Sequence, residues 1–147
     1  MGTSIFDYAE SCATRLRSMY AEYAKGPVDE GLRQFLRSMS EQEASHLRFI
    51  REKVEELGRG RETDGDAGEL LEGIGDAPER KDVKTLSRVD FLAHAMEMEE
   101  WTMEMYKRVS EKWGRSDEIA SLFRSLYEEE KRHLSLVKDR YELESLI

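Results

Sequence analysis

Hydrophobic residues recur every three or four positions along four long stretches of the chain, which is the spacing of α-helices that bury one face. The predicted helices run from Ser4 to about Lys25, from Asp29 to Leu57, from between Asp82 and Ser87 to Trp113, and from just after Ser116 to about Glu144. Both prolines and most of the glycines lie between these stretches, where helices end. No stretch shows the alternation of β-branched residues typical of strands, so the pattern predicts an all-α fold.

A glycine- and acid-rich segment, residues 58–84, separates the second predicted helix from the third. A structureless loop of this length is unusual inside a compact domain, whereas a crossover between two helical hairpins of a bundle can use it. We therefore expect one domain, a four-helix bundle with hairpin one at 4–57 and hairpin two at 85–145, and a short turn at Glu69–Glu72. A linker between two separate hairpins is the weaker alternative, because neither hairpin alone buries much surface.

The second and fourth helices repeat one another at an offset of 87 residues. Residues 35–47 align with residues 122–134, and Arg, Ser, Glu, Glu, His and Leu are identical at matching places. Self-similarity of this kind indicates a duplicated helical hairpin.

Each copy of the repeat carries a Glu-x-x-His pair within its apolar stripe. Glu43 and His46 follow Leu32, Leu36 and Met39 and precede Ile50, while Glu130 and His133 follow Ile119, Phe123 and Leu126 and precede Val137. These positions would normally hold Leu or Ile. A buried, unpaired carboxylate is costly, so a cation is expected nearby, and the i, i+3 spacing lets a carboxylate and an imidazole reach one ion.

The offset of 87 residues extends to the first and third helices, where it pairs Glu10 with Glu97. Glu99 is the nearest competitor of Glu97, and the repeat arithmetic favours Glu97. Glu100 falls near the centre of the third apolar stripe, and its repeat partner is Ala13, so we expect an asymmetric site. Apolar residues flank Glu100 on that stripe: Ala93, Met96 and Met103.

The candidate metal ligands are therefore Glu10, Glu43, His46, Glu97, Glu100, Glu130 and His133. One Glu from each of two helices and Glu-x-x-His from each of the other two is the ligand pattern of di-iron and di-manganese helix bundles. Five carboxylates nearly neutralise two divalent or two trivalent cations. Oxygen-rich coordination with two imidazoles favours iron or manganese over a closed zinc site.

Composition narrows the function classes further. The net charge of −9 and the lack of a Lys/Arg cluster argue against nucleic acid as a partner. No apolar run is long enough for a membrane span and no signal-peptide stretch opens the chain, so a cytoplasmic protein is expected. The single cysteine, Cys12, rules out a disulfide framework and is expected in the core. His94 lies outside the predicted stripe and is expected on the surface, whereas Tyr20, Tyr106 and Tyr127 are expected in the core or as hydrogen-bond donors to ligands.

The segments 9–13, 42–46, 97–102 and 130–133 resemble the di-iron domain of rubrerythrin, a ferritin-like family. The resemblance covers essentially the whole chain apart from the crossover. It implies a ferritin-like bundle holding two iron ions, with manganese possible. It further implies that Glu43 and Glu130 bridge the two ions. Glu10 would be a terminal ligand of one ion, and Glu97 with His133 would be terminal ligands of the other.

The activity implied by the resemblance is reduction of hydrogen peroxide to water, with dioxygen as the other small-molecule oxidant. Glu100 and His46 would exchange as ligands when one iron changes oxidation state, which makes them the expected catalytic pair. Rubrerythrins usually carry a rubredoxin domain with four cysteines, so with Cys12 alone this chain would need a separate electron donor, such as a rubredoxin. The resemblance also implies a homodimer, formed in some relatives by hairpin exchange, and Arg17 stands where the family often has a tyrosine.

Three other interpretations remain open at this point. One is an iron-handling ferroxidase or storage protein, and another is a manganese catalase, which generally has a longer chain. The third is a metal-free bundle that binds other proteins. In that case replacing Glu43 and Glu130 by Leu would leave function intact and raise stability.

Overall fold

The computed structural model describes residues 5–57, 72, 74–112 and 118–147. It contains four long helices, α1 (Ile5–Ala24), α2 (Glu30–Leu57), α3 (Arg88–Lys112) and α4 (Glu118–Ser145), and a short 3₁₀ turn at Val83–Thr85. Within those residues there is no strand. Helix α1 packs along α2 and α3 packs along α4, and contacts of α1 with α3 and of α2 with α4 join the two hairpins. The predicted all-α bundle of two hairpins is confirmed.

The connection between α1 and α2 is held by side chains that take up the free backbone groups of both helix ends. The Asp29 carboxylate accepts a hydrogen bond of 2.9 Å from the Leu32 N–H and so caps the start of α2. The Arg33 guanidinium donates to the Ala24 carbonyl at 2.8 Å and to the Val28 carbonyl at 2.7 Å. These bonds fix the angle at which hairpin one turns.

Parts of the predicted organisation lie outside the described residues: the helix start at Ser4, most of the crossover, and the turn at Glu69–Glu72 apart from Glu72 itself. The described end of the crossover runs back along the bundle. There the Trp101 indole N–H donates to the Gly75 carbonyl at 3.3 Å, and Arg15 donates to the Pro78 carbonyl at 3.2 Å. The first bond ties this segment to α3, and the second ties it to α1.

The core consists of two apolar clusters separated by a layer of buried polar side chains. One cluster includes Phe6, Tyr106 and Phe123, and the other includes Leu16, Leu36 and Phe91. The polar layer between them contains Glu43, His46, Glu99, Glu130 and His133. Every predicted stripe position of α2 and α4 is buried, which confirms the pattern on those two helices.

His94 departs from its expected surface position, because only 4% of it is exposed. Helix α3 packs against α1 as well as α4, and the described end of the crossover covers a further side of it through the Trp101 bond. A residue outside the stripe can therefore still be buried there. No described helix combines the length with the apolar character needed to cross a membrane.

Candidate metal centre

Four of the predicted ligands meet in the middle of the bundle. Glu43, His46, Glu130 and His133 each offer a ligand atom, and these atoms all lie within 4.8 Å of one another. All four side chains are buried. Their positions follow from the helical period, which carries the i, i+3 pair of each helix onto the face that looks into the bundle.

Each histidine lies against the glutamate of the opposite hairpin. His133 Nδ1 is 2.8 Å from Glu43 Oε1, and His46 Nδ1 is 3.0 Å from Glu130 Oε1. The glutamate on the same helix is farther away, at 3.5 Å for His46 and 3.6 Å for His133. The two imidazole rings stack with centroids 4.9 Å apart at an angle of 11°. Each glutamate thus lies close to both histidines.

A fifth side chain, Glu99, belongs to the same buried layer although sequence reasoning preferred Glu97. Glu99 is completely buried, and the Tyr20 hydroxyl donates a hydrogen bond of 2.8 Å to its Oε1. Burial raises the pKa of Glu99 well above its ordinary value, and the charges of Glu130 and Glu43 raise it further. Glu99 is therefore the carboxylate that α3 directs into the bundle.

The other three predicted ligands lie away from this layer. Glu97 and Glu100 are exposed on α3, so the structure contradicts their expected inward orientation. Met96 and Met103, which were expected beside Glu100 on the stripe, are only half-buried. Glu10 has a side chain that is 17% exposed and lies 3.8 Å from Arg51. With Glu100 outside, the expected exchange between Glu100 and His46 has no geometric basis.

The misplacement on α3 comes from the repeat offset. All nine buried positions of α1 fall on buried positions of α3 when the two helices are aligned at 86 residues, one fewer than the 87 that relates α2 to α4. One residue rotates a helix by about 100°, so the wrong offset selects the wrong face. At 86 residues Glu99 pairs with Ala13, and Tyr106 pairs with Tyr20.

The sequence did contain a signal for the correct alignment. Three pairs of identical residues occur 86 positions apart on the first and third helices: Ala9 with Ala95, Met19 with Met105, and Tyr20 with Tyr106. All six are buried. These identities would have selected Glu99 and Ala13 as the paired positions at the centre.

Comparison with known proteins gives one match. The family model for rubrerythrin matches residues 8–141. The chain belongs to the rubrerythrin family. Comparisons with curated proteins and with solved structures give no match. Family membership confirms the resemblance and the ferritin-like fold, and with the Glu/His cluster it is compatible with a di-iron protein.

The buried atoms of this rubrerythrin-family centre fit a cation. Six side-chain atoms of the polar layer find no hydrogen-bond partner among the described residues: Glu43 Oε2, His46 Nδ1, Glu99 Oε2, both Glu130 carboxylate oxygens and His133 Nε2. Buried polar atoms are normally paired, because an unpaired one costs about 1–3 kcal/mol. Carboxylate oxygens and imidazole nitrogens that lie this close together suit iron or manganese as the bound metal.

The carboxyl groups of the rubrerythrin centre have pKa values that are shifted in opposite directions. Burial tends to raise the pKa of Glu43, but hydrogen bonds with His133 and His46 outweigh burial and lower the pKa to about 2. Burial raises the pKa of Glu130 well above its ordinary value, and the charge of Glu43 adds to that shift. Burial and the neighbouring carboxylates thus disfavour a negative charge on Glu130 and on Glu99, and a bound cation would favour that charge.

A surface groove leads to the centre beside His46. It has a volume of about 440 Å³, lies between α2 and α4, and is lined by His46 together with Ser45, Phe49, Ser125 and Leu126 among others. The His46 side chain is 8% exposed, whereas His133 is fully buried. A small molecule coming through this groove would meet the His46 side of the centre first.

Proposed function

We propose that this chain reduces hydrogen peroxide to water at a two-metal centre, using electrons delivered by a separate donor protein. The observation that carries the proposal is the pair of facing, buried Glu-x-x-His motifs, in which five side-chain atoms have no hydrogen-bond partner among the described residues. Membership of the rubrerythrin family supports oxidoreductase activity.

The distances support bridging roles for Glu43 and Glu130. Glu43 presents one oxygen to each histidine, at 2.8 Å from His133 and 3.5 Å from His46. Glu130 approaches both histidines through one oxygen, Oε1, which lies 3.0 Å from His46 Nδ1 and 3.6 Å from His133 Nδ1. One histidine would then be a terminal ligand of each ion, and Glu99 would be a terminal carboxylate. This set leaves out Glu10, Glu97 and Glu100 of the predicted ligands and adds Glu99.

Two iron ions, or manganese in their place, would supply the two electrons that break the O–O bond. Peroxide takes up these electrons and two protons, and two water molecules leave. The chain's own residues hold the ligands in place and keep bulk water away through the two apolar clusters. The groove beside His46 would admit peroxide, which is small enough to pass.

The proposal is tested by comparing oxidants on the reduced, iron-loaded protein. Protein loaded anaerobically with Fe(II) is mixed with hydrogen peroxide or with dioxygen, and the near-ultraviolet charge-transfer absorption is followed with time. We expect oxidation by peroxide to be much faster. A Glu130→Gln variant should lose this reaction, whereas Glu128→Gln, which changes an exposed neighbour, should keep it.

Other results would identify the competing functions. Equal rates with dioxygen, followed by release of Fe(III), would contradict a peroxidase and favour an iron-handling protein. Evolution of oxygen from peroxide by manganese-loaded protein would favour a catalase. Association as a homodimer is part of the same proposal, and light scattering after gel filtration would check it.

A further inference from the structure

The two hairpins contribute matching halves to the centre, except at one position. Hairpin one supplies Glu43 and His46, and hairpin two supplies the equivalent Glu130 and His133. On the first helix of each hairpin, α1 and α3, the equivalent positions are Ala13 and Glu99, and both are completely buried. One half therefore has a third ligand, a carboxylate, where the other half has only a methyl group.

The two equivalent tyrosines show the consequence of this difference. The Tyr20 hydroxyl donates to Glu99 at 2.8 Å. Tyr106 is equally buried, but its hydroxyl has no hydrogen-bond partner in the part of the chain that the structure describes. By the internal symmetry, its acceptor would be a carboxylate at position 13, and Ala13 offers none. Tyr106 and Ala13 belong to the same core cluster.

The half that lacks the carboxylate is also the half that the groove reaches. Glu99 lies within the electrostatic influence of His133, the histidine of its own hairpin. The symmetry then places position 13 on the side of His46. His46, and not His133, lines the groove between α2 and α4. Solvent and small solutes can thus approach the half that has fewer protein ligands.

We propose that the two metal positions are unequal, and that the weaker one takes a small exogenous anion as its missing ligand. The stronger position is built from Glu99, His133 and the two bridging glutamates. The weaker position has His46 and the bridges, and Tyr106 donates its free hydrogen bond to the exogenous ligand. This inference rests on the proposed metal centre but not on peroxide as the oxidant.

The test uses Co²⁺ as a redox-stable metal and azide as the anion. Isothermal titration of the wild-type protein should show two binding events whose dissociation constants differ by at least about tenfold, the size of effect that ligand-shell changes usually produce. Azide should change the visible Co²⁺ spectrum only after the second ion has bound. Tyr106→Phe, which removes a positioning residue, should weaken azide binding several-fold and leave the first metal event unchanged.

Substitution at position 13 provides the decisive comparison. Ala13→Glu should bring the second dissociation constant close to the first and abolish the azide response. Ala13→Leu adds bulk without a ligand atom, so the second event should stay weak. If Ala13→Glu does not fold, Glu99→Ala serves instead, because it adds no bulk and should remove the strong event.

The outcomes separate this inference from the proposed function. Two equal events in the wild-type protein, or an azide response that survives Ala13→Glu, would overturn the inference and leave a two-metal centre in place. Failure of the wild-type protein to bind Co²⁺ or Fe²⁺ at all would overturn both.

Discussion

The Tyr20 hydroxyl joins α1 to the buried carboxyl of Glu99 on α3 through a hydrogen bond of 2.8 Å. The bond occupies one carboxyl oxygen and leaves Glu99 Oε2 without a partner among the described side chains and backbone. A carboxyl group held in this way has a fixed direction and one free oxygen. That is the arrangement expected for a metal ligand oriented by a neighbouring donor.

The two equivalent tyrosines should respond oppositely to loss of their hydroxyl groups. Tyr20→Phe removes the hydrogen bond that the hydroxyl donates to the buried Glu99 carboxyl, so we expect the free energy of unfolding of the metal-free protein to fall by roughly 1–2 kcal/mol. Tyr106→Phe removes a buried hydroxyl that lacks a partner in the described structure, so stability should be unchanged or higher by up to about 1 kcal/mol. Urea denaturation with a chelator present measures both values. Equal losses of unfolding free energy in the two variants would contradict the inference that only Tyr20 has a hydrogen-bonded hydroxyl in the metal-free protein.

The pattern on α2 and α4 was sufficient to predict four of the five side chains of the polar layer. On those helices the apolar stripe is continuous on both sides of each Glu-x-x-His pair, so the inward face is unambiguous. Leu36 and Ile50 on α2, and Phe123 and Val137 on α4, are all completely buried. Each Glu-x-x-His motif therefore lies on the same buried face as these apolar residues. The internal repeat showed that the two motifs occupy equivalent positions in the two hairpins.

The pattern on α3 could not fix its inward face. This helix carries methionine and alanine on several sides, and neighbouring residues 97, 99 and 100 are all Glu. The choice among them depended on the repeat offset, which was taken from α2 and α4. Glu99 and Glu130 are 31 residues apart, whereas Ala13 and Glu43 are 30 apart, so hairpin two has one additional residue between its paired positions. The offset of 87 pairs Glu10 with Glu97 and Ala13 with Glu100, whereas the offset of 86 pairs Ala13 with Glu99.

Glu130 should destabilise the metal-free protein. Both of its carboxyl oxygens are buried without a hydrogen-bond partner among the described atoms, so Glu130→Leu removes a desolvation cost and adds apolar contact. We expect the free energy of unfolding in the presence of chelator to rise by about 1–4 kcal/mol. The same variant should lose stabilisation by added Fe²⁺ or Mn²⁺.

The matched control is Glu128→Leu, which changes an exposed residue on the same helix. Its unfolding free energy should stay within about 0.5 kcal/mol of wild type, and its response to metal should be retained. A less stable Glu130→Leu protein would mean that Glu130 has stabilising partners in the folded chain, which would count against a cation site.

Acidification should stabilise the metal-free protein between neutral pH and about pH 5. Burial raises the pKa values of Glu130 and Glu99 well above the ordinary value of 4.5. Between that value and the raised pKa the folded state binds more protons than the unfolded chain, so unfolding free energy falls as pH rises. The slope can reach about 1.4 kcal/mol per pH unit for each carboxyl. Glu43, with its pKa lowered to about 2, is ionised in both states here and contributes no slope.

A double variant, Glu99→Gln with Glu130→Gln, isolates this effect. Subtracting the unfolding free energy of the variant from that of wild type cancels the contributions of other titrating groups. One of these is His94, whose pKa is lowered by burial, so that it makes the unfolding free energy rise with pH below pH 6.5. Because Gln resembles a protonated carboxyl, the urea midpoints of the two proteins should lie close together at pH 5, and the wild-type midpoint should fall below that of the variant toward pH 7.5. Metal should reverse the trend, because binding to ionised carboxylates strengthens as pH rises. A difference that does not vary with pH would refute the assignment.

Blocking the groove beside His46 should slow oxidation without removing the metal. Ser45 lines the groove and has an exposed side chain, so Ser45→Trp narrows the entrance without disturbing the buried ligands. We expect the rate of oxidation of the iron(II)-loaded protein by peroxide to fall several-fold, while bound iron per chain and thermal stability stay at wild-type values. Ser135→Trp, at an exposed position of α4 that does not line the groove, is the control and should react at the wild-type rate. If Ser45→Trp reacts as fast as the control, peroxide reaches the centre by another route, and the groove has no part in access.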